Sequence, residues 1–137
     1  MLDAVAIHNE VYNLLLKYSK TDPTFRFTLR KSNRDNRLDK GYWFYGNEGY
    51  LAVSFWTGFD WKNKTPNIIF VILFEDADTY IEINTSDSDR KREFVNEYLV
   101  NSLGLESFGQ KYRKYYSGNY LESLEYFLLT DKIRKLL

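Results

Sequence analysis

The sequence has few of the residue types on which most enzyme chemistry depends. It contains no cysteine, one histidine and two prolines in 137 residues. Without cysteine the chain has no disulfide bond, no thiolate zinc site and no thiol nucleophile. It also lacks glycine-rich phosphate-binding and G-x-S-x-G motifs, and its histidine, His8, falls in a predicted helix, where a surface or boundary histidine is commoner than a catalytic one. We therefore predict a domain with no enzymatic activity and no cofactor.

Long hydrophobic runs are also missing. The longest, residues 68–74, is far below the ~18 residues that a membrane-spanning helix needs, and the N-terminus lacks a basic start followed by an apolar stretch. We predict no membrane segment and a cytoplasmic location. The length fits a single domain, 1–137, and the helical pattern that continues to the last residue suggests the N-terminal piece of a longer protein.

Helical periodicity occurs near both ends of the chain. Residues 2–19 place apolar side chains at helical spacing, with Asp3 as the N-cap. A second helix is predicted through residues 94–103, where Gly104 ends it. The spacing of apolar residues predicts a third helix at 119–137.

Between the helices the period changes to two. Alternation predicts strands beginning at Phe25, at residues 50–56 and at 79–84, while the apolar run 68–74 is typical of a central strand. Turn residues at 46–49 and 75–78 predict hairpins, the first of them between aromatic arms at 42–45 and 50–56. The pattern at residues 108–116 fits either a helix or a strand. The pattern predicts an α+β fold with a small curved, mainly antiparallel sheet of four to five strands flanked by N- and C-terminal helices.

Aromatic and cationic residues are concentrated in the same part of the chain. All three tryptophans lie between residues 42 and 61, directly after a cationic stretch at 30–40. From residue 25 to 64 there are eight basic and four acidic residues, although the whole chain has a net charge of zero. Basic charge interleaved with aromatic rings is typical of nucleic-acid binding through a local patch.

Alternation in the strand at 50–56 separates core side chains from candidate ligand contacts. We expect Leu51, Val53 and Phe55 to face the core, which leaves Tyr50 and Trp56 on the other face around small residues that would floor a shallow pocket. Aromatic rings stack on a base, and amide or carboxylate groups beside the rings select that base through hydrogen bonds. The predicted base pocket consists of Tyr50, Trp56, Asp60, Trp61 and Asn63.

Cations near these rings are candidates for phosphate contacts, which position a nucleic acid without reading its sequence. They are Arg30, Lys31, Arg34, Arg37, Lys40, Lys62 and Lys64. The run at 111–116 also mixes cations with rings and is the second candidate.

Two other functions fit parts of this pattern. Exposed aromatic residues are also typical of protein-interaction modules that bind a partner subunit or peptide. A small metal-dependent nuclease would need converging carboxylates near a lysine, for which Asp60, Lys62 and Glu82 are the candidates.

Several segments of the chain resemble a known family. Residues 36–44, 46–47, 54–56 and 60–68 read NRLDKGYWF, GN, SFW and DWKNKTPNI. This pattern resembles N-terminal domains of McrB-type motor ATPases from modification-dependent restriction systems. The resemblance implies a DNA-recognition domain for double-stranded DNA, methylated or plain, that in several branches flips a modified base into an aromatic pocket. It also implies a motor domain in the same chain and a separate nuclease subunit, both parts of a bacterial or archaeal defence system.

Overall fold

The computed structural model describes residues 3–23, 25–57, 68–86 and 89–131. The helices within these ranges are α1 Ala4–Thr21, α2 Asp89–Phe94, α3 Val100–Leu103 and α4 Tyr120–Tyr126. A π-helical turn, Val95–Leu99, joins α2 to α3, and a second one, Phe127–Asp131, continues α4.

The described residues form seven strands, and every pairing between them is antiparallel. They are β1 Phe25–Phe27, β2 Tyr45–Gly46, β3 Tyr50–Thr57, β4 Ile68–Leu73, β5 Thr79–Asn84, β6 Glu106–Phe108 and β7 Lys111–Tyr116. Their order across the sheet is β1-β3-β4-β5-β7-β6, and β2 pairs with β3. The result is a curved, open sheet in an α+β fold, as predicted.

The helices cover one face of this sheet. Buried side chains of α1, of the α2–α3 segment and of α4 with its π-helical turn join the strands in one core. Phe127 connects the two layers, since its ring stacks on Phe55 with centroids 5.6 Å apart and lies 6.4 Å from that of Phe70. The strand residues with 3% exposure or less are Leu51, Val53, Phe55, Ile68, Phe70, Ile72, Thr79, Ile81, Ile83 and Tyr112.

The helix boundaries follow from local capping. Asp3 Oδ1 accepts hydrogen bonds from the backbone N–H groups of Val5 and Ala6 at 3.0 and 3.3 Å, which begins α1. Asn119 does the same for α4 through the N–H of Glu122. Gly104, at φ 72°, ends α3 in the left-handed conformation that a β-carbon disfavours. The predicted first helix and the predicted helix end at Gly104 are confirmed, and the predicted third helix is described as far as Asp131.

The sheet has more strands than the predicted four to five. Residues 106–116 form a hairpin of two strands, β6 and β7, where the sequence pattern fits either type of element. The first arm of the aromatic hairpin is shorter than predicted and consists of Tyr45–Gly46 alone. The reason is that Tyr42 and Phe44, which the prediction placed in that arm, pack on His8 of α1.

His8 is fully buried, and the expectation of a surface or boundary position was wrong. Its Nδ1 accepts a hydrogen bond from the Phe44 N–H at 3.2 Å, so the neutral ring carries its proton on Nε2. Burial, with a smaller contribution from the positive charge of Arg30, lowers the pKa of His8 to about 4. The side chain is therefore a neutral part of the core near pH 7.

Candidate functional site

The face of the sheet opposite the helices is lined by side chains that alternate with the core residues. Among the described residues, no helix lies on this face. We call it the open face, and in the described strands it comprises Arg26, Tyr45, Tyr50, Ala52, Ser54, Ile69, Val71, Leu73, Tyr80, Glu82, Asn84, Glu106, Phe108, Lys111, Arg113 and Tyr115. Large rings remain accessible there: Phe108 is 51% exposed, Tyr115 50% and Tyr45 41%.

One transverse row of the open face has small residues in the middle and rings at its ends. The strand register aligns Tyr45, Ala52, Val71, Tyr80 and Tyr115 in that order. Neighbouring strands lie ~4.8 Å apart, so the backbones of Tyr45 and Tyr80 are about 14 Å apart across two small side chains. The row therefore forms a shallow trough with tyrosines on both sides.

Arg113 lies at the centre of the ring cluster on one side of this trough. Its guanidinium carbon is 4.6 Å from the ring centroid of Tyr80 and 5.7 Å from that of Phe108. Nε donates to Glu82 Oε1 at 2.8 Å, and Nη1 donates to the hydroxyl of Tyr115 at 3.0 Å. Contacts with rings, a carboxylate and a phenol hold the guanidinium in place before any ligand binds.

These contacts fix the charge state of the cluster. The hydrogen bonds with Tyr115 and Glu82 raise the pKa of Arg113, which stays protonated at any working pH. Burial raises the pKa of Tyr80, against a lowering by the Arg113 charge. The cluster therefore combines neutral rings, which can stack on a base, with a permanent cation that shares its charge with Glu82.

Two of the predicted phosphate-contact residues make structural contacts. The guanidinium of Arg30 donates to the backbone carbonyls of Tyr42, Phe44 and Gly46 and lies 5.9 Å from the ring of Tyr45. It ties the loop that precedes β2 to β2 itself, and these bonds already use donors that a phosphate would need.

Arg37 forms a two-point ion pair with Glu48, at 2.9 and 3.3 Å, and its guanidinium carbon lies 5.5 Å from the Tyr42 ring. The hydrogen bond with Glu48 raises the pKa of Arg37 and lowers that of the carboxyl group. The pair connects the cationic loop to the turn between β2 and β3. The other predicted cations of this loop, Lys31, Arg34 and Lys40, have exposed side chains.

The structure describes only part of the predicted base pocket. Tyr50 is 38% exposed on the open face, as expected from alternation. The backbone of Trp56 lies in β3 opposite Arg26, and its side chain lies outside the described part of the structure. The remaining predicted members, Asp60, Trp61 and Asn63, and the predicted cations Lys62 and Lys64, all fall in 58–67, outside the described residues.

Trp43 makes structural contacts. Its indole Nε1 donates to Asn9 Oδ1 at 2.7 Å, and its ring lies 5.9 Å from that of Tyr12. Both partners belong to α1. This tryptophan therefore fixes the loop before β2 to the first helix.

Only part of the Arg113 cluster was predicted from the sequence. Lys111, Arg113 and Tyr115 belong to the second-ranked run, but Tyr80 and Phe108 were not among the candidates. The available signal was the alternation in 111–116, which puts these three residues on one face of a strand. Pairing with Tyr80 of β5 could not be read from the local sequence, because it depends on the strand order.

The described residues form no candidate metal centre. No cluster of three or more potential metal ligands occurs in the described ranges, and Glu82 is paired with Arg113. Each helix in those ranges is too short or too polar to cross a lipid bilayer.

Comparisons with known proteins found no matching family model, no similar curated protein and no similar solved structure.

Proposed function

We propose that this domain binds nucleic acid through the open face. The observation that carries the proposal is the arrangement around Arg113, where a fixed guanidinium lies among Tyr80, Tyr115 and Phe108. Aromatic rings stack on bases and contribute about 1–3 kcal/mol per base, while arginine contacts phosphate. Two of these rings are half exposed, so a base can reach them without displacing any described part of the protein.

Charge on the open face is nearly balanced. Its described strands carry three cations, Arg26, Lys111 and Arg113, and two acids, Glu82 and Glu106. The loop 28–48, which Trp43 fixes to α1, adds five cations and three acids. The excess is small, so affinity should come from stacking together with a few phosphate contacts rather than from bulk charge.

The resemblance to McrB-type proteins suggests a biological setting for this activity. In that setting the domain is the specificity part of a restriction or defence protein, and its ligand is double-stranded DNA with a modified base that is flipped out of the helix. A motor domain and a nuclease subunit would supply GTP hydrolysis and cleavage. Residues 58–67 would then contribute Trp61, Asp60 and Asn63 to the pocket.

Variants of exposed residues test the proposal without disturbing the core. Tyr115→Ala should weaken binding of a fluorescently labelled oligonucleotide by about 5- to 150-fold, the equivalent of one lost stacking contact. Lys111→Glu should weaken binding to every sequence and flatten its salt dependence. Tyr98→Ala is the matched control, since Tyr98 is 49% exposed but lies in the helical layer. Equal affinity of all three variants and the unmodified protein, measured by fluorescence anisotropy, would remove the proposal.

A protein-interaction surface is the second candidate, and one observation favours it. Glu82 neutralises much of the charge of Arg113 through their 2.8 Å ion pair, so the ring cluster is nearly uncharged. Half-exposed rings around a neutral centre are also typical of protein interfaces. Binding to a protein partner should change little between 50 and 200 mM salt, whereas phosphate contacts make binding fall with ionic strength.

A further inference from the structure

We propose that the open face binds unpaired nucleobases, an inference that rests on the nucleic-acid function proposed above. Unpaired bases occur in single strands and at positions where a base is extruded from a duplex. The two sources share the same chemistry, a free aromatic face next to a phosphodiester. Fully paired duplex is the ligand that this geometry disfavours.

The width of the sheet is the first reason. Its described path has six strand positions, so at ~4.8 Å per step the sheet is about 24 Å wide. The major groove of DNA is ~12 Å wide and admits a helix or a two-stranded ribbon. The open face is therefore too wide to enter the groove, and the described helices lie on the opposite side.

The placement of the rings is the second reason. Tyr80 and Tyr115 lie on adjacent strands with ring centroids 5.2 Å apart, and Tyr45 stands across the trough. A ring on a sheet surface can stack on a base only if that base has left its own stack. Sheet-borne aromatics in RNA-recognition modules stack two or three bases in this way. The trough between Tyr45 and Tyr80 is about 14 Å wide between the two backbones, which is wide enough to admit unstacked bases.

The small number of cations on the open face is the third reason. Its basic members in the described strands are Arg26, Lys111 and Arg113. Arg26 donates to the backbone carbonyls of Pro23 and Phe25, and Arg113 shares its charge with Glu82. Two or three phosphate contacts to a single strand give a slope of log affinity against log salt of about −1.4 to −2.1. A duplex site with six to ten phosphate contacts gives a slope of about −5 to −9. Stacking must therefore supply most of the affinity.

Four labelled ligands test the inference by fluorescence anisotropy. They are a 12-nucleotide DNA strand, the RNA strand of the same sequence, the fully paired DNA duplex, and that duplex with a three-nucleotide bulge. We expect the single strands or the bulged duplex to bind about 5- to 150-fold more tightly than the intact duplex, with the factor set by the loss of one stacking contact. Tyr115→Ala should remove this preference, Tyr115→Phe should retain it, and Tyr98→Ala should leave it unchanged.

The outcomes separate this inference from the function on which it rests. Binding of the intact duplex as tightly as the unpaired ligands would overturn the inference while leaving nucleic-acid binding in place. A preference for unpaired ligands that survives Tyr115→Ala and Phe108→Ala would also overturn it, because the rings of the open face would not be the cause. No binding of any of the four ligands would end the proposed function itself. Preference for the bulged duplex over the single strands would identify an extruded base as the source.

Discussion

The two faces of the sheet are built from the same strands but differ in composition and exposure. In β4 and β5, Phe70, Ile72 and Ile81 face the helices with almost no exposure, while Tyr80 and Glu82 of β5 face the other way. The helical face contains apolar groups that need no directional partner. The open face combines apolar residues of β4 with tyrosines and the ion pair between Arg113 and Glu82. The core of the described residues lies on the helical side of the sheet, and we propose that the open face is the binding face.

The largest effect should come from a substitution on the helical face. Phe70→Ala removes a fully buried ring next to Phe55 and Phe127, and we expect the free energy of unfolding to fall by about 3–5 kcal/mol. Tyr50→Ala, on the same sheet but on the open face, should cost less than about 1 kcal/mol. Urea denaturation of both variants measures the difference. Similar losses in the two would show that both faces contribute to the core.

The next largest effect should come from Arg30, a predicted phosphate contact that the structure uses internally. Arg30→Ala removes hydrogen bonds to three backbone carbonyls, and we expect the free energy of unfolding to fall by roughly 2–3 kcal/mol. The neighbouring Lys31, which is exposed, is the matched control, and Lys31→Ala should change stability by less than about 0.5 kcal/mol. If Arg30→Ala alters only nucleic-acid affinity, the structural role assigned to this guanidinium is wrong.

His8 makes the helical face sensitive to acid. The pKa of this residue is about 4 in the folded protein and ~6.5 in the unfolded chain, so the unfolded state binds the extra proton between these values. Above pH 6.5 His8 does not lower the free energy of unfolding. As the pH falls from 6.5 towards 4, the free energy of unfolding declines, with a slope of up to about 1.4 kcal/mol per pH unit.

His8→Leu should remove this part of the pH dependence. Denaturation at pH 7, 6 and 5 compares the two proteins, because the carboxyl groups contribute equally to both. Parallel pH profiles for the unmodified protein and the variant would contradict the assignment of a neutral, buried imidazole.

The smallest effect should come from Glu82 on the open face. Glu82→Gln keeps a hydrogen-bond acceptor near Arg113 but removes the negative charge, so we expect nucleic-acid affinity to rise roughly two- to fivefold, corresponding to ~0.4–1 kcal/mol of relieved repulsion. The nuclease hypothesis predicts instead that Glu82→Gln abolishes divalent-metal-dependent cleavage. A cleavage assay and a binding titration on the same variant distinguish the two.

The fold was largely predictable because its signals are local. Asp3 and Gly104 mark helix ends through capping and backbone conformation, and the alternation at 50–56 correctly assigns Leu51 and Phe55 to the core. The strand count was too low because β6 is only three residues long and because the pattern at 108–116 did not identify β7 as a strand.

The candidate site was less predictable because it depends on contacts between distant segments. Tyr80 and Arg113 are 33 positions apart in the sequence and meet because β5 pairs with β7. Conversely, Arg30 has the sequence signature of a phosphate contact, yet it satisfies backbone carbonyls that no local pattern reveals. Clustering of aromatic and cationic residues in the sequence predicts a binding surface, but the strand order determines which of these residues share one face.

Chemical-shift mapping tests the central claim, that the open face is the binding face, most directly. The isotopically labelled protein would be titrated with the 12-nucleotide DNA strand and followed by NMR. We predict that the largest changes occur at β5 and β7, around Tyr80, Arg113 and Tyr115, and at the trough-side residues of β3. Changes confined to α1 and α4, with the ring protons of Tyr80 and Tyr115 unaffected at saturation, would contradict the account.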